Sequence, residues 1–183
     1  IIYYLKSHNT FKPLKIFVYE GLGIGFISFM VISFSILVNL LGSFNETSIG
    51  ITSLIIIFVI SAYGMINARN ISIKNVELTS AKIHNNLNII FISDVHLGTN
   101  TTKHLKKILN KIKTLKYDLI IIGGDLIDSS SFNINDLTIL NEIKKDIYFV
   151  NGNHEYYLKN YKNKMSQLKN FNIRILKNTS KEI

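Results

Sequence analysis

Three stretches decide the fold: NIIFISDVH (88–96), DLIIIGGDLID (118–128) and IYFVNGNHE (147–155). Each opens with a short apolar run rich in β-branched and aromatic residues, the pattern of a buried strand. Each closes on polar side chains able to bind a cation. Between the first two, Leu105, Ile108, Leu109, Ile112 and Leu115 recur at helical spacing. Lys103, Lys106, Lys107, Lys111, Lys113 and Lys116 fall on the opposite face, which predicts an amphipathic helix over 102–116. Between the second and third, Leu137, Leu140 and Ile143 mark another helical pattern, with Asn135 or Asp136 near its start. Residues 155–169 predict a further helix and 173–176 a fourth strand. Upstream, ISIKNVEL (71–78) alternates in part and predicts a strand that opens the soluble domain at a sheet edge.

Strands alternating with helices predict the α/β class, with βαβ units and a parallel sheet. Ligands in such sheets bind beyond the carboxyl ends of the strands. The polar clusters occupy those ends: Asp94-Val95-His96, Gly124-Asp125-Leu126-Ile127-Asp128 and Gly152-Asn153-His154-Glu155. They lie 31 and 28 residues apart, counted from Asp94 to Asp125 and from Asp125 to Asn153. One βαβ step takes about 30 residues, so adjacent parallel strands bring the three clusters to one edge.

Carboxylate, imidazole and amide oxygen together suit Mn, Fe or Zn better than a soft metal. Asp125, central in order, could bridge two ions. Two ions about 3.5–4 Å apart can clamp a phosphoryl group and activate a water. Taken singly, each cluster is also what a turn or a helix cap displays. Taken jointly, three strands, three clusters, even spacing and the right order are a different matter and argue for a site at that edge.

The order D-x-H, G-D-x-x-D, G-N-H-E resembles the calcineurin-like metallophosphoesterases, and SDVHLG, GGDLID and GNHEYY after an apolar region are most similar to their bacterial membrane-associated branch. The resemblance covers roughly residues 71–183. It implies that Asp94 and His96 bind one metal, Asp125 bridges both and Asn153 binds the second. It implies that His154 faces the substrate and protonates the leaving oxygen, with Asp128 orienting it. Physically, a carboxylate fixes an imidazole tautomer and raises its pKa. The family pattern also includes an isolated His and a G-H-x-H segment further along, and no His follows His154 here. The expectation is therefore an N-terminal part of the domain, truncated before those motifs and inactive alone. The alternative is a degenerate fold serving as a membrane scaffold or sensor.

Two charge-free runs precede the domain, residues 21–41 and 47–68. Each reaches the ~20 apolar residues that a helix needs to cross a bilayer. They predict a transmembrane hairpin within a membrane region over 1–70, with the phosphoesterase part over 71–183. Lys6, Lys12 and Lys15 precede the first run, and Arg69, Lys74 and Lys82 follow the second. The loop over 42–46 has no Lys or Arg, so the positive-inside rule puts both flanks, and the soluble domain, in the cytoplasm at the plasma membrane. Ile1–Leu5 read as the tail of a further span. Anchoring implies a phosphate-ester substrate that is lipid-linked or near the membrane, with membrane lipids as neighbours.

The absence of cysteine excludes disulfides and thiolate metal sites. The net charge of +9 fits a solvated lysine surface or attraction to anionic lipid. No basic stretch interleaves with aromatics, so a nucleic-acid partner is not expected. Tyr156 and Tyr157 read as packing residues or a stacking surface. Glu155 reads as an acceptor near the metals or as a first-turn helix residue. His104 reads as a surface residue, and His8 and His84 carry no assignment.

Overall fold

The structure is a computed structural model that describes residues 12–42, 44–82 and 85–182. Ile1–Leu5, Lys6, His8 and His84 lie outside the described residues. The described residues fall into two compact units that divide between Lys74 and Asn75.

The first unit is a pair of helices, α1 (Lys12–Gly42) and α2 (Glu46–Asn67). Within them, Glu20–Gly42 and Glu46–Asn67 are long and apolar enough to cross a membrane. Asn45 caps α2, its side chain accepting the Ser48 N–H at 3.0 Å. Glu46 in the first turn complements the positive end of the helix dipole. The helices meet through small polar residues: the Ser35 and Ser53 hydroxyls share a hydrogen bond of 2.7 Å, and Ser53 donates to the Ile49 carbonyl at 2.8 Å. Phe26, Phe34, Leu40, Leu54 and Phe58 stay bare. Hydrocarbon, unlike water, exacts no penalty for that surface.

The second unit is an α/β sheet of four parallel strands in the order β1 (Ile89–Ile92), β2 (Leu119–Ile122), β3 (Ile147–Phe149) and β4 (Ile173–Ile175). The crossovers are α3 (Thr102–Ile112), a 3-10 helix (Ile134–Glu142), and the pair α4 (Asn153–Tyr156) and α5 (Tyr161–Leu168). Sequential strand order means that every crossover advances the same way. Right-handed crossovers of that kind stack their helices on one face. The core accordingly joins Ile90, Ile92, Ile120, Ile122, Ile147, Phe149 and Ile173 from the strands to Leu105, Leu109, Leu137, Leu140 and Leu168 from the helices. On the other face Ile89 and Phe91 are exposed.

Three local outcomes depart from the sequence expectation. The helical pattern around 137–143 falls in a 3-10 helix (Ile134–Glu142), because Ile134, Leu137, Leu140 and, just beyond it, Ile143 recur every three residues and all four are buried. Three residues per turn keeps that series on one line, which an α-helix would rotate away. Among the described residues, 71–78 join no strand, and residues 72–80 are exposed. The helical stretch over 155–169 is interrupted at Asn160, whose backbone is left-handed (φ 55°).

Candidate metal centre

Strand register sets the site. Ile92 aligns with Ile122 and Ile122 with Phe149, so Asp94, Asp125 and Asn153 leave neighbouring strands within a few residues of one level. The β1 and β2 loops then run on side by side. Asp94 N donates to Gly124 O at 3.2 Å, His96 N to Asp125 O at 2.9 Å and Leu97 N to Leu126 O at 2.8 Å. Val95 and Leu97 bury their side chains in the core, which turns Asp94 and His96 the other way.

Asp94, His96 and Asp125 adopt left-handed backbone, with φ of 57°, 51° and 52°. Asp, Asn and His tolerate that region better than most residues, yet each instance still costs on the order of 1 kcal/mol. Three such residues on two adjoining loops mark where the fold spends stability on placing side chains. Gly124 (φ 96°) and Gly152 allow the second and third loops to touch backbone to backbone. A Cβ on Gly124 would lie 2.6 Å from Gly152 N, and one on Gly152 would run into the Asp125 carboxylate.

The result is a cluster in which ligand atoms of His96, Asp125 and His154 all lie within 4.8 Å of one another. Donors bound about 2.0–2.2 Å from one ion sit roughly 3–3.5 Å apart, so small side-chain rotations would close this set on a cation. The His96 and His154 rings stand edge to face with centroids 4.5 Å apart. His154 N donates to Asp125 Oδ1 at 2.9 Å, which fixes the Asp125 carboxylate against the third loop. His154 Nδ1 is buried with no protein partner. A buried nitrogen left unpaired is costly, and a cation or substrate atom would satisfy it. Asp94 is more open; its carboxylate lies 3.6 Å from His96 Nε2 and is 65% exposed. Asn153, the first residue of α4, is exposed at the same strand end.

Asp128 takes a different partner from the one the sequence expectation gave it. Its Oδ2 lies 3.6 Å from His96 Nδ1, and its Oδ1 accepts the Thr99 N–H at 2.9 Å. Contact with the Asp128 carboxylate raises the His96 pKa above 6.5 despite opposition from burial, with Asp125 and Asp94 adding to it. Burial pushes the Asp128 carboxyl up, but His96 and Thr99 together hold it below 3.8. The physical reason is chain path. Asp128 N bonds Leu97 O at 3.1 Å, so this loop is stitched to the β1 loop that carries His96. His154 arrives from β3, on the far side of Asp125.

The sequence reading left Glu155 between two roles, and the structure gives it a defined one. It is fully buried; Oε2 accepts Asp125 N at 2.9 Å and Gly152 N at 2.7 Å, and Oε1 accepts Ile127 N at 3.0 Å. The available signal was a Glu three residues after a helix-capping position, the reaching-back half of a capping box. Tyr156 packs against Tyr161 with ring centroids 5.0 Å apart, and Tyr157 stands 6.1 Å from the His154 ring. His104 sits in the first turn of α3, outside the cluster. A hollow of about 670 Å³ at the amino ends of the strands, lined by Asn88, Lys116, Asp118 and Lys144, holds none of the clustered residues.

A parallel α/β sheet that gathers Asp and His donors at its carboxyl edge has the residue set of a candidate cation site. Residues 87–182, a little over half of the chain, match the calcineurin-like phosphoesterase family, and the chain belongs to it. It is 30% identical over 150 residues to a transmembrane protein with metallophosphoesterase domain from Danio rerio, covering 78% of this chain and 34% of that protein. The Bos taurus protein of the same name is 30% identical over 133 residues, covering 68% of this chain and 30% of the relative. An uncharacterized metallophosphoesterase of Campylobacter jejuni is 32% identical over 111 residues, covering 57% and 30%. The chain thus spans about a third of the length of the curated relatives it matches. No solved structure matches it.

Proposed function

We propose that this chain belongs to a membrane-anchored, divalent-metal-dependent phosphoesterase that hydrolyses phosphomonoester, phosphodiester or pyrophosphate bonds at a two-metal site. The observation that carries the reading is the convergence of His96, Asp125 and His154 from three strand ends to within 4.8 Å. Asp94 and His96 would hold one ion, Asn153 the second, and Asp125 would serve both. Bound there, Mn, Fe or Zn ions supply Lewis-acid polarisation of the phosphoryl oxygens and a water made nucleophilic. His154 gives its proton to the leaving oxygen, its backbone N–H tied to the Asp125 carboxylate at 2.9 Å. Asp128 acts as a positioning residue through His96, the imidazole it touches.

The two apolar helices anchor the enzyme, with the soluble unit on the cytoplasmic side of the plasma membrane by the distribution of Lys and Arg. The substrate on this reading is a phosphate ester at the bilayer, including lipid-linked ones. The exposed lysines of α3 face anionic headgroups, each adding about 1 kcal/mol near a charged surface. Removing three of them leaves liposome association unchanged if that face is only solvated.

The test uses the protein expressed from its complete reading frame, in mixed micelles with Mn²⁺. Hydrolysis of bis(p-nitrophenyl) phosphate that disappears in both Asp125→Ala and His154→Ala supports the reading. A wild-type protein that binds Mn²⁺ but turns over no phosphate ester overturns it in favour of a scaffold.

A further inference from the structure

We infer that Glu155 is the positioning residue that locks the β2 and β3 loops together and holds Asp125 in its left-handed conformation, an inference that rests on the metal-site reading for its functional consequence. Glu155 has no exposed surface. A carboxylate so placed is expensive unless its oxygens are bonded. Three backbone N–H groups meet that need, at 2.7, 2.9 and 3.0 Å. Two of them, from Asp125 and Ile127, belong to the loop after β2. The third, from Gly152, belongs to the loop after β3. One side chain thus joins two segments that no strand ladder connects at this level.

Asp125 shows what the clamp accomplishes. Its three polar groups are each fixed by a different residue, drawn from the two flanking loops: the N–H by Glu155, the carbonyl by His96 N and the carboxylate by His154 N. Its φ of 52° is unfavourable for a residue with a side chain. Such a conformation persists only where surrounding bonds over-determine it. A carboxylate supplies the strongest available acceptor for those N–H groups. Glu155 is therefore separate from the cation-binding side chains and acts through the backbone beneath them.

The geometry also ranks substitutions. In Glu155→Gln the amide oxygen can occupy the Oε2 position and keep the Asp125 and Gly152 N–H groups. The amide nitrogen then opposes the Ile127 N–H, donor against donor. In Glu155→Ala all three N–H groups lose their acceptor.

The experiment reads amide hydrogen exchange and Mn²⁺ binding on the whole chain in detergent micelles. Leu168→Ala, a fully buried core truncation remote from the loops, serves as a control matched for loss of thermal stability. Without metal, Glu155→Gln is expected to speed exchange at Ile127 at least ten-fold and Glu155→Ala to do so at Asp125, Ile127 and Gly152. Mn²⁺ affinity is expected to fall at least ten-fold in Glu155→Gln and to stay at the wild-type value in Leu168→Ala. Should the Ala variant not fold, the Gln variant alone decides. Exchange at Ile127 no faster in Glu155→Gln than in Leu168→Ala overturns the inference, as does equal Mn²⁺ affinity in those two variants. A wild-type chain that binds no Mn²⁺ overturns the metal-site reading instead, and exchange alone then decides the role of Glu155.

Discussion

His96 Nδ1 and Asp128 Oδ2 stand 3.6 Å apart across two loops that leave adjacent strands. The contact joins a half-exposed imidazole to a buried carboxylate, and each shifts the other. Between about pH 3.8 and 6.5 both partners carry charge and the pair stabilises the metal-free fold in full. Asp128, held below 3.8, loses its share as the pH falls through that lowered value. His96, raised above 6.5, loses its share as the pH rises through the raised value. Asp128→Asn keeps an acceptor for Thr99 N–H but removes the charge. It is expected to lower stability at mid-range pH by about 1–3 kcal/mol and to flatten both flanks, read by urea unfolding in EDTA across pH.

The approach of Gly152 to Asp125 leaves no room for a methyl group. Gly152→Ala is expected to cost about 1–3 kcal/mol through overpacking and to weaken Mn²⁺ binding, because it pushes on the central carboxylate itself. Chemical unfolding and Mn²⁺ titration on the same preparation check both parts. Unchanged Mn²⁺ affinity would place the strain elsewhere.

The three-residue period of the 3-10 helix has a mutational signature. Leu137 and Leu140 are buried, whereas Thr138 between them is exposed. Leu137→Ala or Leu140→Ala should cost about 2–5 kcal/mol as cavities open under β2 and β3. Thr138→Ala should stay within about 0.5 kcal/mol of wild type. An α-helical segment would instead bury position 141 with 137, so a large loss from Asn141→Ala would contradict the 3-10 assignment.

Membrane orientation is open to direct chemistry because the chain has no cysteine. Single replacements Glu46→Cys, at the first residue of α2, and Lys74→Cys, beyond its last residue Asn67, mark the two sides of the span. A membrane-impermeant maleimide applied to intact cells should label position 46 and reach position 74 only after permeabilisation. The reverse pattern would invert the hairpin and put the soluble unit outside.

Much of this architecture is legible in one dimension. Leu119–Ile122 and Ile147–Phe149 are short apolar runs buried in the sheet, and Ile89–Ile92 packs Ile90 and Ile92 against the same core while Ile89 and Phe91 stay exposed. α3 is a helix because Leu105, Leu109 and Ile112 share one face. The membrane-type helices follow from length and absence of charge.

The sequence by itself determined which chemistry-bearing residues reach the sheet's carboxyl edge, since a βαβ repeat of near-constant length delivers one cluster per strand end. Only the tertiary structure decided which of them touch. Asp128 meets His96 and not His154, and Glu155 serves backbone rather than metal-facing groups, because loop path and strand register fix positions to a fraction of an ångström. Spacing along the chain fixes them only to within a turn. Hydrogen bonds, which fail beyond about 3.5 Å, are decided at the finer of those two scales.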